Sequence, residues 1–158
     1  MIKRLLTLII LMNFLSSFGQ IADNSCKRDE SNIYNQAIIQ YFKYLNTVDF
    51  QISGTIYFFE DEFGLTDSLM ERINDTRILR LKQSEIEELV TKKNGITIYK
   101  LFPLEYQNME FHVTLVPYGA TFRKGETGLF FSTYGGYCIN FKFDKGKFKF
   151  LRIDNNSM

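Results

Sequence analysis

A chain of 158 residues with 19 basic and 18 acidic side chains carries a formal net charge of +1, so it has no global field to draw it onto nucleic acid or an anionic membrane. Rings are abundant (16 Phe and nine Tyr, with no Trp), but there is one His and only two Cys. That scarcity excludes most metal centres and most His-dependent catalytic sets.

The first twenty residues are MIKRLLTLIILMNFLSSFGQ. Lys3 and Arg4 precede an apolar run from Leu5 to Leu15, and the small residues Ser16, Ser17 and Gly19 follow. This order is that of a secretory signal peptide, and the run is shorter than the roughly 20 residues a bilayer span requires. The expected organisation is a signal peptide over 1–20, an N-terminal segment over 21–30 and a single α+β domain over 31–154. The protein is expected to be exported, to the periplasm or the extracellular space, with no stable membrane anchor after cleavage. Asp23, Asn24 and Ser25 before Cys26 do not fit a lipidation site. Loss of Lys3 and Arg4 leaves 17 basic against 18 acidic residues, a net charge of −1. Cys26 and Cys138 both survive cleavage, and an oxidising compartment favours a disulfide between them. Such a bridge would close a loop of 112 residues and add about 4–5 kcal/mol on a chain-entropy view. The alternative is two unrelated thiols.

From Ser31 to about Val48 the polar side chains Asn32, Asn35, Gln36, Gln40, Lys43, Asn46 and Thr47 share an arc of about 140° on a helical wheel. Nearly everything else there is apolar, which predicts a helix mostly wrapped by protein. Ile39 falls inside the polar arc, as an isolated exposed aliphatic or a small contact point. Strands are expected at Ile52 to Phe59 and Arg77 to Leu81, with a helical turn between Thr66 and Ile73. Ser84 with Glu87 makes a capping box for a second, shorter helix. Its apolar stripe is Ile86, Leu89 and Val90, Lys92 and Lys93 complement its C-terminal end, and Asn94-Gly95 stops it. Further strands follow at Ile96 to Phe102, Phe111 to Val116, Ala120 to Arg123, Leu129 to Tyr134, Tyr137 to Phe143 and Phe148 to Ile153, separated by turn residues. The fold class is therefore α+β: a long N-terminal helix packed on a curved, mainly antiparallel sheet, with a second short helix inserted between strands.

That order of elements resembles the cystatin-like or nuclear-transport-factor-like architecture. The segment from Thr55 to Phe150 is also similar to small exported bacterial proteins without an assigned activity. The inserted second helix departs from the simplest cystatin pattern, and the resemblance carries no catalytic residues onto this chain.

His112 is the only catalytic candidate. In Phe111-His112-Val113-Thr114-Leu115 it shares a strand face with Thr114, opposite the apolar residues. A Cys138–His112 nucleophile is conceivable, since both lie on polar strand faces. Zinc would need both cysteines as well as His112, so no metal and no cofactor is expected. No phosphate loop, nucleophile elbow or dinucleotide fingerprint occurs. Glu60-Asp61-Glu62, with Asp67 and Glu71, reads as a solvated loop ahead of a calcium site or a carboxylate pair.

In Tyr137 to Phe143 apolar residues alternate with Cys138, Asn140 and Lys142, as one buried and one wet face require. After the turn at Lys145-Gly146, Phe148 and Phe150 continue the apolar face, but Leu151 and Ile153 fall on the other, which signals a bulge or the sheet's edge. Lys142, Lys145, Lys147, Lys149 and Arg152 form a basic rim around this hairpin. Its phenylalanines are needed by the core, so no nucleic-acid partner is expected. The favoured reading is a non-enzymatic exported domain that binds a protein partner or a small apolar ligand, with Tyr57, Tyr99, Tyr106 and Tyr118 as lining residues. The alternative is a small hydrolase or isomerase using a pocket histidine or carboxylate.

Overall fold

The structure is a computed structural model that describes residues 32–48, 54–60, 63–123, 128–133 and 135–156. Helix α1 (Ile33–Thr47) leads into strands β1 (Thr55–Phe59), β2 (Arg72–Ile73) and β3 (Thr76–Leu81), then helix α2 (Gln83–Lys93). Strands β4 (Ile96–Leu101), β5 (Glu105–Gln107), β6 (Glu110–Phe122), β7 (Leu129–Ser132), β8 (Gly136–Asp144) and β9 (Lys147–Asn156) follow. They form one sheet in the order β2-β3-β1-β4-β6-β8-β9, with β5 and β7 each paired to β6. The fold is thus mixed α and β, with a mainly antiparallel open sheet and two helices.

Asn32 starts α1 by accepting a hydrogen bond from the Tyr34 amide at 2.8 Å, which satisfies one of the helix's unpaired first-turn donors. Ile33, Ala37, Ile38, Tyr41, Phe42 and Leu45 are buried, against a sheet face made by Ile56, Phe58, Ile78, Tyr99, Leu101, Val113, Leu115, Ile139 and Phe141. Two positions on the expected polar arc behave differently. Ile39 is half-buried against this core. Asn35 is fully buried, because its side-chain amide donates to the Ser68 carbonyl at 3.2 Å and its oxygen accepts from the Met70 amide at 3.1 Å. It stitches the helix to the chain entering β2. No helix forms there: 65–68 make a turn that gives way to β2, with Leu69 and Ile73 buried, in place of the expected helical turn.

Helix α2 begins one residue before its predicted cap. The Lys82 amide donates to Glu85 Oε2 at 2.7 Å, so Glu85 takes the capping part assigned to Glu87. The predicted stop holds: Asn94 adopts a left-handed φ of 57°. The helix does more than interrupt a meander. β1 is parallel to both β3 and β4 and lies between them, so β3-α2-β4 is a crossover connection. Parallel neighbours demand such a bridge of a dozen or so residues, and α2 with its flanks supplies it. Ile86, Val90, Leu81, Ile98 and Ala120 form a second core on this face, with Tyr57, Phe59, Leu79, Tyr118 and Phe131 around them.

The two strands expected at Phe111 to Val116 and Ala120 to Arg123 are one 13-residue strand, β6, running through Pro117. The Thr114 carbonyl accepts from the Phe102 amide at 3.0 Å, so even-numbered residues of β6 direct their main chain towards β4 and odd-numbered ones towards the far edge. On that far edge the ladder with β8 ends at Leu115–Tyr137 and the ladder with β7 begins at Gly119–Ser132. Pro117, which has no N–H, falls in the interval, where a proline is tolerated. In the last hairpin Asn140 faces Arg152 and Phe141 faces Phe150. Leu151 is therefore the extra residue of a bulge on the edge strand β9, as the reversed alternation predicted.

Candidate functional site

Period-two alternation divides the sheet's second face into an apolar half under α2 and a polar half beyond it. At their border Gly136 faces Val116, and a Cβ on that glycine would lie 2.9 Å from Val116 Cγ2. Two cavities meet at Tyr118, the first on this apolar half and the second lined mostly by residues of the face under α1. One, of about 280 Å³, is lined by Phe59, Gln83, Ile98, Tyr99, Lys100, Tyr118 and Phe131. Phe59, Ile98, Tyr118 and Phe131 belong to the second core, Gln83 opens α2, and Lys100 is exposed with its ammonium 5.4 Å from the Phe102 ring. The other, of about 400 Å³, lies at the interval beside Pro117 and is lined by Thr97, Pro117, Tyr118, Gly119, Ser132, Gly135, Tyr137 and Asn155.

Of the four tyrosines expected to line a pocket, Tyr118 borders both cavities. Tyr99 borders the first but turns its ring to the opposite face, against Tyr41 at 5.9 Å and Phe58 at 5.8 Å. Tyr57 accepts a hydrogen bond from Lys93 Nζ at 2.8 Å and lines neither cavity. Tyr106 is exposed and stacks on Phe111 at 4.8 Å, also away from both. Phe59, Ile98 and Phe131 were legible only as strand residues. Their convergence depends on which strands become neighbours.

The polar half assembles a belt across four strands. In the register of β6 with β8, His112 faces Asn140 and Thr114 faces Cys138, which brings the single histidine and Cys138 to 3.6 Å between Nδ1 and Sγ. The fully buried Asn140 amide donates to Asp154 Oδ2 at 2.9 Å and to the Cys138 carbonyl at 3.1 Å. That orientation aims its own oxygen at His112 Nδ1, with which it is hydrogen-bonded. His112 Nε2 faces the Gln107 carbonyl at 3.1 Å. Both ring nitrogens thus meet oxygen acceptors, and whichever carries the hydrogen donates to the oxygen it faces. Cys138 has Asn140 Oδ1 as its acceptor at 3.5 Å. Burial, with the negative charges of Asp154 and Glu105, pushes the thiol above its ordinary range, whereas a nucleophilic cysteine needs the reverse. The belt ends in Arg152, which donates to Asp154 at 3.1 Å and pairs with Glu110 at 2.9 Å. Arg152 holds the Glu110 carboxyl below the usual range. The arrangement is a clamp between strands.

Cys138 carries a free thiol in the structure and lends its sulfur to the belt, while the expected Cys26–Cys138 disulfide turns on Cys26. Cys26 lies outside the described residues, as do Asp61 and Glu62 of the acidic loop. Among the described residues no group of three or more His, Cys, Asp and Glu is placed to hold a metal, and no helix is long and apolar enough to cross a membrane. No family model, curated protein or solved structure matches this chain.

Proposed function

We propose that this chain is an exported, non-enzymatic domain that binds a small apolar ligand in the cavity walled by Phe59, Ile98, Tyr118 and Phe131. The observation that carries the reading is that cavity: rings and an aliphatic wall converge there beside a single lysine and a glutamine. Its volume, about 280 Å³, falls just below that of ligand pockets, which run from roughly 300 to 1,000 Å³. It suits one aromatic ring or a short acyl chain. Lys100 and Gln83 at the wall would favour a ligand carrying a carboxylate at one end.

The leader-like first twenty residues support export to the periplasm or the extracellular space. A long first helix lying on a curved sheet, in the cystatin-like or nuclear-transport-factor-like manner, belongs to the same reading, as does the absence of a role for nucleic acid. A hydrolase or isomerase would use a pocket histidine or carboxylate, but His112 meets oxygen acceptors at both nitrogens and neither His112 nor a carboxylate lines these two cavities.

Ligand-detected NMR with a series of short-chain and aromatic carboxylic acids, each beside its neutral amide, tests the proposal. Phe131→Ala should weaken binding about tenfold, the equivalent of 1.4 kcal/mol, and Lys100→Glu should weaken the acids while sparing the amides. Binding of no member of the series, or binding indifferent to both substitutions, would remove the cavity as the site.

A further inference from the structure

The far end of the sheet breaks two local rules in one place. The β5–β6 and β8–β9 hairpins turn at the same end, because the start of β6 pairs with the end of β8 through Phe111–Phe141. The β5–β6 turn is Asn108-Met109, with φ of 53° and 64°. Such a two-residue turn calls for Asn-Gly, and a methionine in the left-handed region is strained. It is also 77% exposed, so no packing repays that strain. In the β8–β9 hairpin Lys142 lies directly opposite Lys149, a like-charge cross-strand pair that opposes pairing.

Around these two positions a ladder of rings emerges from the core. Phe141 is fully buried, Phe111 and Phe148 half-buried, and the outermost members reach solvent: Tyr106 at 63%, Phe143 at 51% and Phe150 at 40% exposed. Tyr106 stacks on Phe111 at 4.8 Å, and Phe143 on Phe148 at 5.1 Å, so the exposed rings form one surface. Lysines back it, on the hairpin's opposite face and at its turn. Lys142, Lys145, Lys147 and Lys149 are all exposed, against Asp144, which bonds Lys149 at 2.5 Å.

We infer that these paired hairpin tips dock the protein reversibly on an anionic lipid surface. Met109, Tyr106 and Phe143 enter the headgroup region and the four lysines face lipid phosphates. Rings and a thioether on one side with lysines beside them are the composition that interfacial binding uses. The near-zero net charge of the chain does not oppose this, because screening confines each charge's influence to about 8–10 Å. At the tips the four lysines outnumber Asp144 and Glu110, and Glu110 is paired with Arg152. The ligand cavity takes no part, and the polar belt reaches the tips only through its Glu110–Arg152 pair, so this inference stands apart from the proposed function.

Sedimentation with vesicles of phosphatidylcholine containing phosphatidylglycerol, against phosphatidylcholine alone, tests it on the mature chain. The protein should partition onto the anionic vesicles and be released by salt. Lys145→Glu with Lys147→Glu should lower partitioning more than tenfold, since each basic residue near an anionic surface contributes about fivefold. Met109→Gly should lower it about threefold to tenfold while leaving or raising the melting temperature, since glycine suits the turn. That variant separates lipid contact from a folding defect. Equal partitioning of wild type and both variants would overturn the inference. So would no partitioning of the wild type, a dimer that Met109→Gly dissolves, or binding to polyglutamate in preference to vesicles.

Discussion

The two faces of the sheet are built from the same strands and meet different neighbours. On the first, the odd-numbered residues of β6 and β8, such as Val113, Leu115, Ile139 and Phe141, lie under α1 in a single apolar core. On the second, the even-numbered residues change character along the strand. Ala120 and Tyr118 pack beside α2, Val116 meets Gly136, and Thr114 and His112 face Cys138 and Asn140. No helix covers that last stretch in the packing described, and the side chains there satisfy one another by hydrogen bonds. What a strand carries at each position is therefore set by what covers it. A polar group half out of water survives only when its partners are fixed.

The contrast is open to direct attack from the first face. Phe58 is fully buried and touches the Tyr99 ring at 5.8 Å. Phe58→Ala removes a ring and leaves a cavity that α1 above it cannot fill, and should cost about 3–5 kcal/mol in urea unfolding. On the second face Asn140→Leu keeps the volume but strips Asp154, His112 and Cys138 of their common partner. Orphaned polar groups cost about 1–3 kcal/mol, so its urea midpoint should fall by less than that of Phe58→Ala. A loss as large as that of the phenylalanine variant would mean that the belt holds the sheet as firmly as the core does, and the contrast would break.

Much of this was legible because it is local. The alternation in Tyr137 to Phe143, the reversal at Leu151 that became a bulge, and the Asn94-Gly95 stop each depend on residues within one turn or one strand. The features that were not legible depend on partners far along the chain. Asn35 reads as a polar helix position until the chain at Ser68 and Met70 arrives to bury it. The parallel pairing of β1 requires knowing that α2 carries the chain across it. His112 and Cys138 were both readable as residues on polar strand faces. Only the register of β6 against β8 makes them diagonal neighbours, and only there does the Asn140 oxygen meet both of them. The cavity residues Phe59, Ile98 and Phe131 come from three strands, so no single periodicity could have grouped them.

Alkaline titration sharpens the comparison with the smallest expected effect. Cys138 on the second face is raised above its ordinary 9.0, chiefly by burial. Tyr41 and Tyr99 on the first are raised above their ordinary 10.0, again chiefly by burial, with Tyr137 adding to both. In each case the unfolded chain releases its proton before the native one does. Between the two pKa values the native state binds more protons than the unfolded state, so stability is full below the unfolded value and declines as pH rises through it. The decline should therefore come in two parts. The earlier begins near the unfolded thiol's value, about 8.5–9, and should vanish in Cys138→Ser. The later begins near pH 10 and should shrink in Tyr99→Phe. Urea midpoints measured across this range in the three proteins check it. An early decline that persists in Cys138→Ser would assign it to a group outside the belt, and the thiol would then be far better solvated than its contacts with His112 and Asn140 require.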